Sequence, residues 1–109
     1  MLEPLLRSKS TERILIFLVA REDGYARDMA RFFDADLYAI QKQLDNLEAG
    51  GVLASRLVGR TRLYAFNPRY PFTGELKQLL LKTLSFYPEG EREKLMLNRR
   101  RPRRRDKPL

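Results

Sequence analysis

The feature that most constrains the fold is a pair of short helical patterns separated by about three residues. In both segments apolar side chains recur three and four residues apart, so each segment has one apolar helical face. The first face holds Ala26, Met29, Ala30 and Phe33, and the second holds Leu37, Ile40, Leu44 and Leu47. Asp36 suits the N-cap of the second helix, and the glycines at 50 and 51 suit its end. The spacing predicts a helix-turn-helix unit with its second helix over residues 36–49.

A β-hairpin is predicted immediately after these helices, over residues 53–66. Residues 52–58 and 62–66 are β-type runs with partial alternation, and Gly59, Arg60 and Thr61 join them. Arg56 and Arg62 flank this turn without an acidic neighbour. Guanidinium groups on a hairpin can contact phosphates or enter a minor groove, although charge on an exposed hairpin also prevents edge-to-edge pairing.

A buried central helix is predicted over residues 10–22. Residues 14–20 form an apolar run of seven, which alone fits a buried strand or a buried helix. The flanks favour the helix, because Ser8 or Ser10 can cap the first turn and Glu12 can interact with the positive end of the helix dipole.

Further helices are predicted at both ends of the domain. Leu2, Leu5 and Leu6 form a short apolar stripe, residues 75–87 have helical periodicity, and residues 91–98 add one or two turns. A chain of 109 residues is one ordinary domain. The order of elements predicts a mainly α winged helix-turn-helix domain over residues 1–98, in which the β-hairpin is the wing.

The terminal segments carry more apolar surface than so small a core needs. We therefore expect a two-fold dimer that buries this surface through the terminal helices, although the same residues could instead complete the core of the monomer. The side chains assigned to the dimer interface are Leu2, Leu5, Leu6, Leu80, Leu81, Leu84 and Phe86. Two aromatic pairs, Phe32 with Phe33 and Phe86 with Tyr87, are interpreted as core or interface, and an effector pocket beneath them is left open.

Most of the formal net charge of +8 is concentrated in a basic tail, residues 99–109. Its composition predicts disorder in isolation, because like charges and prolines accompany almost no apolar residue. The tail is either a solubilising end or a phosphate-binding segment whose affinity falls with salt. The candidate phosphate contacts are Arg99, Arg100, Arg101, Arg103, Arg104 and Arg105.

The absence of Cys, His and Trp excludes disulfides, Cys/His metal sites and imidazole-dependent triads. The acidic groups, such as Asp34 with Asp36, are interpreted as caps and surface charges, since neither a matched base nor a phosphate-cradling glycine loop accompanies them. We therefore predict no catalytic residue, metal or cofactor, and no enzyme. Without a signal peptide or an apolar run near the ~18 residues of a membrane span, we expect a cytoplasmic protein that does not enter a membrane.

The chain resembles the ArsR-like branch of bacterial winged-helix regulators in one stretch and in several positions after it. The stretch is residues 36–53, and the later positions are Arg56, Gly59 with Arg60, and Leu63 with Tyr64. The matching pattern is a recognition helix with Leu44, Leu47 and Gly51 at family spacing, then a Gly-Arg wing. The resemblance covers roughly residues 8–70. It implies a homodimeric transcriptional regulator that binds double-stranded DNA. Metal sensing through Cys or His ligands, known in this family, cannot be carried over.

A shorter stretch, residues 64–72 with parts of residues 75–83, is similar to winged-helix domains that precede nucleotidyltransferase-like domains. This similarity leaves open a second hypothesis, a protein-interaction module that pairs with a separate nucleotidyltransferase-like or toxin partner. An RNA-binding protein is a third, although the sequence has no RNP-type aromatic residues on adjacent strands.

In the leading hypothesis the second helix of the helix-turn-helix unit lies in the major groove. The outward positions that would contact bases are Tyr38, Ala39, Gln41, Lys42, Gln43 and Asn46. The alternative is a solvated helix face, on which these residue types are ordinary. Backbone or minor-groove contacts are assigned to the wing, at Arg56, Arg60, Thr61 and Arg62.

Overall fold

A computed structural model describes residues 1–100 of the chain, with side chains up to residue 96. The elements are α1 (Glu3–Leu6), α2 (Lys9–Arg21), β1 (Asp23–Tyr25), α3 (Ala26–Phe33), α4 (Leu37–Ala49), β2 (Leu53–Val58), β3 (Thr61–Phe66), α5 (Thr73–Leu84) and α6 (Glu89–Arg100). The described chain is mainly helical with a small antiparallel sheet, in the order predicted for a winged helix-turn-helix domain.

Helix α2 forms the centre of the core. All of residues 14–20 are buried, and α2 contacts the other five helices as well as β1. A helix that is apolar on every side is stable only when it is covered on every side, and these elements provide that cover. The Oγ of Ser8 accepts a hydrogen bond from the Thr11 amide at 3.1 Å, so Ser8 is the N-cap.

The helix-turn-helix unit is formed by α3 and α4, as the sequence predicts. Helix α3 ends where Asp34 takes a left-handed conformation, and the amide of Ala35 donates to the carbonyl of Ala30 at 2.8 Å. Asp36 then caps α4, because its Oδ2 accepts from the Ala39 amide at 3.2 Å. Ile40 on α4 is fully buried, which confirms that the predicted apolar face packs on the core.

The sheet has the strand order β1-β3-β2, and β2 with β3 forms the predicted hairpin. Val58 pairs with Thr61 at its end, and Gly59 between them has a positive φ of 69°. Strand β1 was not predicted from the sequence, which indicated no strand before residue 52. A three-residue strand is too short to have a recognisable period, and its position depends on β3.

The helices after the sheet differ from their predicted bounds. Helix α5 begins and ends two or three residues earlier than the predicted 75–87, and α6 begins at Glu89, directly after Pro88. Helix α6 packs on α2 through the fully buried Leu95. Within the predicted tail, the backbone of residues 99 and 100 belongs to α6, and residues 101–109 lie outside the described part of the chain.

Among the described residues, no helix has the length and apolar character needed to cross a membrane. In the same residues, no cluster of three or more His, Cys, Asp or Glu side chains is placed to hold a metal ion.

The carboxylate of Glu12 joins the first turn of α2 to the N-terminal residues and to Tyr87, which lies between α5 and α6. Its Oε1 accepts from the Leu2 amide at 2.8 Å and from the amino group of Met1 at 3.2 Å. Its Oε2 accepts from the Tyr87 hydroxyl at 2.8 Å. Burial raises the pKa of Glu12. The hydrogen bond from Tyr87 and the contacts with Leu2 and Met1 together lower that pKa by more than burial raises it, so the pKa lies below 4.5. Burial and the contact with Glu12 raise the pKa of Tyr87.

Gly24→Ala is expected to destabilise the fold. An added Cβ would lie 2.6 Å from Cε1 of Phe17, a buried ring that cannot move freely. Overpacking of this kind costs about 1–3 kcal/mol in the free energy of unfolding, which urea denaturation measures. The matched control is Gly74→Ala in α5, where a Cβ meets nothing within 4 Å and should stabilise the helix slightly. Equal stabilities of the two variants would contradict the prediction.

Tyr87→Phe is expected to destabilise the protein by about 1–3 kcal/mol near neutral pH, because the buried Glu12 carboxylate loses a donor. The native pKa of Glu12 lies below its ordinary value, so the stability that it contributes is present above about pH 4.5 and is lost as pH falls through the native pKa. The effect of the substitution should therefore shrink in acid.

Urea denaturation at about pH 7 and about pH 3.5 tests this dependence. Tyr70→Phe is the matched control, because its ring packs edge-on against Phe72 and the substitution keeps that contact. A loss of stability that is the same at both pH values would show that the Glu12 contact is not its cause.

Candidate nucleic-acid interface

The outward face of α4 carries most of the residues predicted to contact bases. Tyr38 is 73% exposed, and Gln41, Lys42 and Asn46 are also exposed. Ala39 is half-buried next to the Asp36 cap. This face combines an aromatic ring, amides and an ammonium group, which can form hydrogen bonds and apolar contacts with base edges in a major groove.

Gln43 lies at the edge of this face and is held by the protein. Its Oε1 accepts from the Thr11 hydroxyl on α2 and from Nδ2 of Asn46, both at 3.3 Å. The side chain is half-buried, so it connects the core helix to Asn46. The sequence placed Gln43 among the outward residues because helical periodicity does not distinguish an exposed position from a position on the rim of the core.

The strand register places the wing arginines on opposite faces of the hairpin. Arg56 pairs with Leu63, whereas Arg62 pairs with Leu57, and successive pairs in an antiparallel ladder alternate between faces. Arg60 lies at the tip beside Thr61, and all four predicted contact residues of the wing are exposed. One strand of a nucleic-acid backbone lying against one face of the hairpin therefore could not contact both Arg56 and Arg62.

A polar contact joins the wing to α4. The Ser55 hydroxyl donates to Oε2 of Glu48 at 2.8 Å and accepts from Nη1 of Arg62 at 3.0 Å. Neither Ser55 nor Glu48 was predicted from the sequence as part of the site. The sequence feature that could have indicated this contact is a polar residue, Ser55, on the same face of β2 as the buried Leu53.

The electrostatic environment at the base of the wing is acidic on its helical side. Burial raises the pKa of Tyr64, and the negative charges of Asp45 and Glu48 raise it further, while Arg62 opposes them. The carboxylates of Asp45 and Glu48 are thus close enough to β3 to act on Tyr64, whereas the positive charge beside it comes from Arg62.

The residues assigned to a dimer interface divide into three groups by burial. Leu80 and Leu84 are buried in the core of the chain itself, so their side chains are not available to a partner. Leu5, Leu81 and Phe86 are exposed, and Leu2 and Leu6 are half-buried against the core. The leucines of α5 that the sequence assigned to the dimer interface are therefore divided between the core and the exposed surface.

The aromatic pairs lie at an open cleft of about 780 Å³ between α2, α3 and the start of α6. Phe32, Phe33, Phe86 and Tyr87 line it, together with charged side chains of both signs, such as Arg13 and Glu91. The Arg13 guanidinium lies 5.5 Å from the centre of the Phe33 ring. Phe32, Phe33 and Tyr87 thus pack against the core and also line the cleft, whereas Phe86 is exposed.

Comparisons with known proteins find similar solved structures. No protein-family model matches the chain, and no curated protein matches it significantly. The adhesin competence repressor AdcR of Streptococcus pyogenes is similar over 85% of this chain and 81% of its own, with 17% identity and a TM-score of 0.52. A mutant of Lactococcus lactis ZitR in its apo form is similar over 96% and 78%, with 19% identity and a TM-score of 0.55. At such identities the likeness establishes the fold, a winged helix with a small three-stranded sheet.

Proposed function

We propose that this protein is a homodimeric transcriptional regulator that binds double-stranded DNA. In this proposal α4 enters the major groove while the β2–β3 wing contacts the backbone or the minor groove. The observation that carries it is the adjacency of two exposed polar surfaces, the outer face of α4 and the arginine-bearing wing, which Ser55 joins through hydrogen bonds. The name of AdcR, a repressor, supports the same class of function.

Base contacts are assigned to the exposed part of α4. Gln41 can pair bidentately with adenine, and Lys42 can reach the acceptors of guanine or a phosphate. Tyr38 and Ala39 can contact a thymine methyl group. Asn46 extends this face toward the end of the helix, and Gln43 supports it from the side facing α2.

Phosphate contacts are assigned to the wing and to the basic tail. Arg60, Thr61 and Arg62 are exposed near the tip of the hairpin, and Arg56 is exposed on its other face. In the tail, residues 99–109, the arginines would add contacts that depend on salt and not on sequence. Occupation of a promoter by such a dimer would repress transcription in the cytoplasm of a bacterium.

The ArsR-like assignment is the finer part of the proposal. Leu44 is fully buried and Leu47 packs against the core, as a recognition helix of that pattern requires. Gly51 has a φ of +84°, a conformation that explains a glycine directly after the helix. The same pattern is the basis for expecting a dimer through the terminal helices.

A second copy of this chain is the partner proposed for the exposed apolar residues Leu5, Leu81 and Phe86. Leu81 is 51% exposed although it lies in the middle of α5, and exposed leucines of this kind favour burial by association. A two-fold dimer would present two α4 helices about one DNA turn apart.

The double substitution Arg60→Ala with Arg62→Ala is expected to weaken binding to generic duplex DNA. Each lost phosphate contact lowers affinity by roughly tenfold at about 0.1 M salt and flattens the dependence of log affinity on log salt by about one unit. Fluorescence anisotropy across a salt series measures both quantities.

The charge-matched control for this experiment is Arg7→Ala with Lys9→Ala, at the junction of α1 and α2. It removes two positive charges outside α4 and the wing, so its binding should remain close to that of the original protein. Equal losses in the two double variants would mean that the wing has no specific part in DNA binding.

Leu81→Glu is expected to convert the dimer to a monomer, because it places a charge in the middle of the apolar interface. Sedimentation equilibrium gives the mass directly. Leu57→Glu on the wing is the control, since Leu57 is also an exposed leucine and should leave the dimer intact. A monomeric original protein would overturn the homodimer and leave a separate partner as the occupant of this surface.

A further inference from the structure

The Ser55 hydroxyl is the meeting point of three elements of the proposed interface. It donates to Glu48 of α4 at 2.8 Å and accepts from Arg62 of β3 at 3.0 Å, while Ser55 itself belongs to β2. We call these three residues the Ser55 bridge. A hydroxyl has one proton to donate, and here that proton is directed to the carboxylate, which leaves the oxygen lone pairs facing the guanidinium.

The position of Ser55 follows from the strand register. Ser55 pairs with the buried Tyr64, and the neighbouring pair on the same face is Leu57 with Arg62. This face therefore changes from core to solvent between Leu53 and Leu57. The hydroxyl lies at the change, close enough to α4 to reach Glu48 and close enough to the wing tip to reach Arg62.

The bridge leaves Arg62 able to bind another anion. The contact with Ser55 uses one N–H group of Nη1, and a guanidinium carries five such groups in a rigid plane. The Arg62 side chain is exposed, so its remaining donors face solvent. An arginine that is already held by one hydrogen bond loses less conformational freedom when it binds a phosphate than a free one does.

The bridge also reduces an electrostatic cost at the interface. Glu48 carries a negative charge near the place where phosphates would approach, and like charges repel. Because Glu48 accepts from Ser55, and Arg62 donates to that same hydroxyl, the carboxylate and the guanidinium are held on either side of one oxygen. The positive group is on the side of the wing and the negative group on the side of the helix.

We propose that Ser55 is a positioning residue for DNA binding, which orients the Arg62 guanidinium toward a phosphate and holds the wing in a fixed relation to α4. This inference rests on the proposed function, since it concerns how the wing binds DNA. Ser55 itself contacts no phosphate in this arrangement. Its effect on DNA passes through Arg62.

The decisive experiment is a double-mutant cycle of Ser55→Ala and Arg62→Ala, measured by anisotropy with a generic duplex across a salt series. Ser55→Ala should weaken binding about three- to tenfold, the effect of one lost hydrogen bond. It should also flatten the salt dependence toward that of Arg62→Ala, although it removes no charge. In the Arg62→Ala background, Ser55→Ala should have no further effect.

Three further variants separate positioning from general disruption. Ser55→Thr keeps the hydroxyl and suits a strand, so it should restore both the affinity and the salt dependence. Ser55→Val lacks the hydroxyl but favours the strand, and it should behave as Ser55→Ala does if the fold is intact. Ser85→Ala removes a hydroxyl that donates to the Lys82 carbonyl on α5, and it should bind DNA as the original protein does.

The possible results have different consequences. If the original protein binds duplex DNA and Arg62→Ala weakens it, but the hydroxyl-free variants at Ser55 bind normally, the positioning role is overturned and the proposed function stands. Additive effects of Ser55→Ala and Arg62→Ala overturn the positioning role in the same way. Absence of salt-dependent duplex binding by the original protein overturns both proposals.

Discussion

The structure depends on the complete burial of one helix, α2. Because its apolar run faces the core on every side, every other helix has to supply part of its cover, and their positions are coupled through it. Two adjacent residues in its first turn illustrate this coupling. Thr11 donates to Gln43 on α4, while Glu12 accepts from Tyr87 at the junction of α5 and α6. The proposed base-contacting helix and the terminal helices are thus attached to neighbouring positions on one rigid element.

Local signals in the sequence were sufficient for the elements whose ends are determined by local chemistry. The cap at Asp36 and the positive φ of Gly59 are properties of a few consecutive residues, so α4 and the hairpin were predicted with nearly their observed bounds. Strand β1 exists because β3 lies beside it, and Gly24 fits because Phe17 leaves no room for a Cβ. Such requirements come from tertiary packing and have no periodic signature.

For the candidate site, the structure bears only on which side chains are exposed, and their contacts with DNA stay a prediction. Helical periodicity correctly placed Tyr38 and Lys42 on the exposed face of α4. Periodicity could not show that Gln43 is held by a hydrogen bond from Thr11. It also could not show that Leu80 belongs to the core while Leu81 is exposed, because the apolar residues of α5 cover more of the helix than one contact buries, and their spacing does not say which part is buried. The Ser55 bridge depends on the distance between a helix and a hairpin, which only the folded chain determines.

The distribution of charge separates two tasks within the proposed interface. The last turns of α4 contain Asp45 and Glu48, and their carboxylates would repel a phosphate, so the proposed interface makes no phosphate contact there. Amides and an aromatic ring on the remaining outer face can still distinguish bases, since such contacts are short-ranged and need no net charge. The proposal therefore assigns phosphate binding within the folded domain to the arginines of the wing. Because phosphate contacts position a protein and base contacts specify the sequence, the affinity of such an interface would follow salt through the wing, whereas its base preference would follow α4.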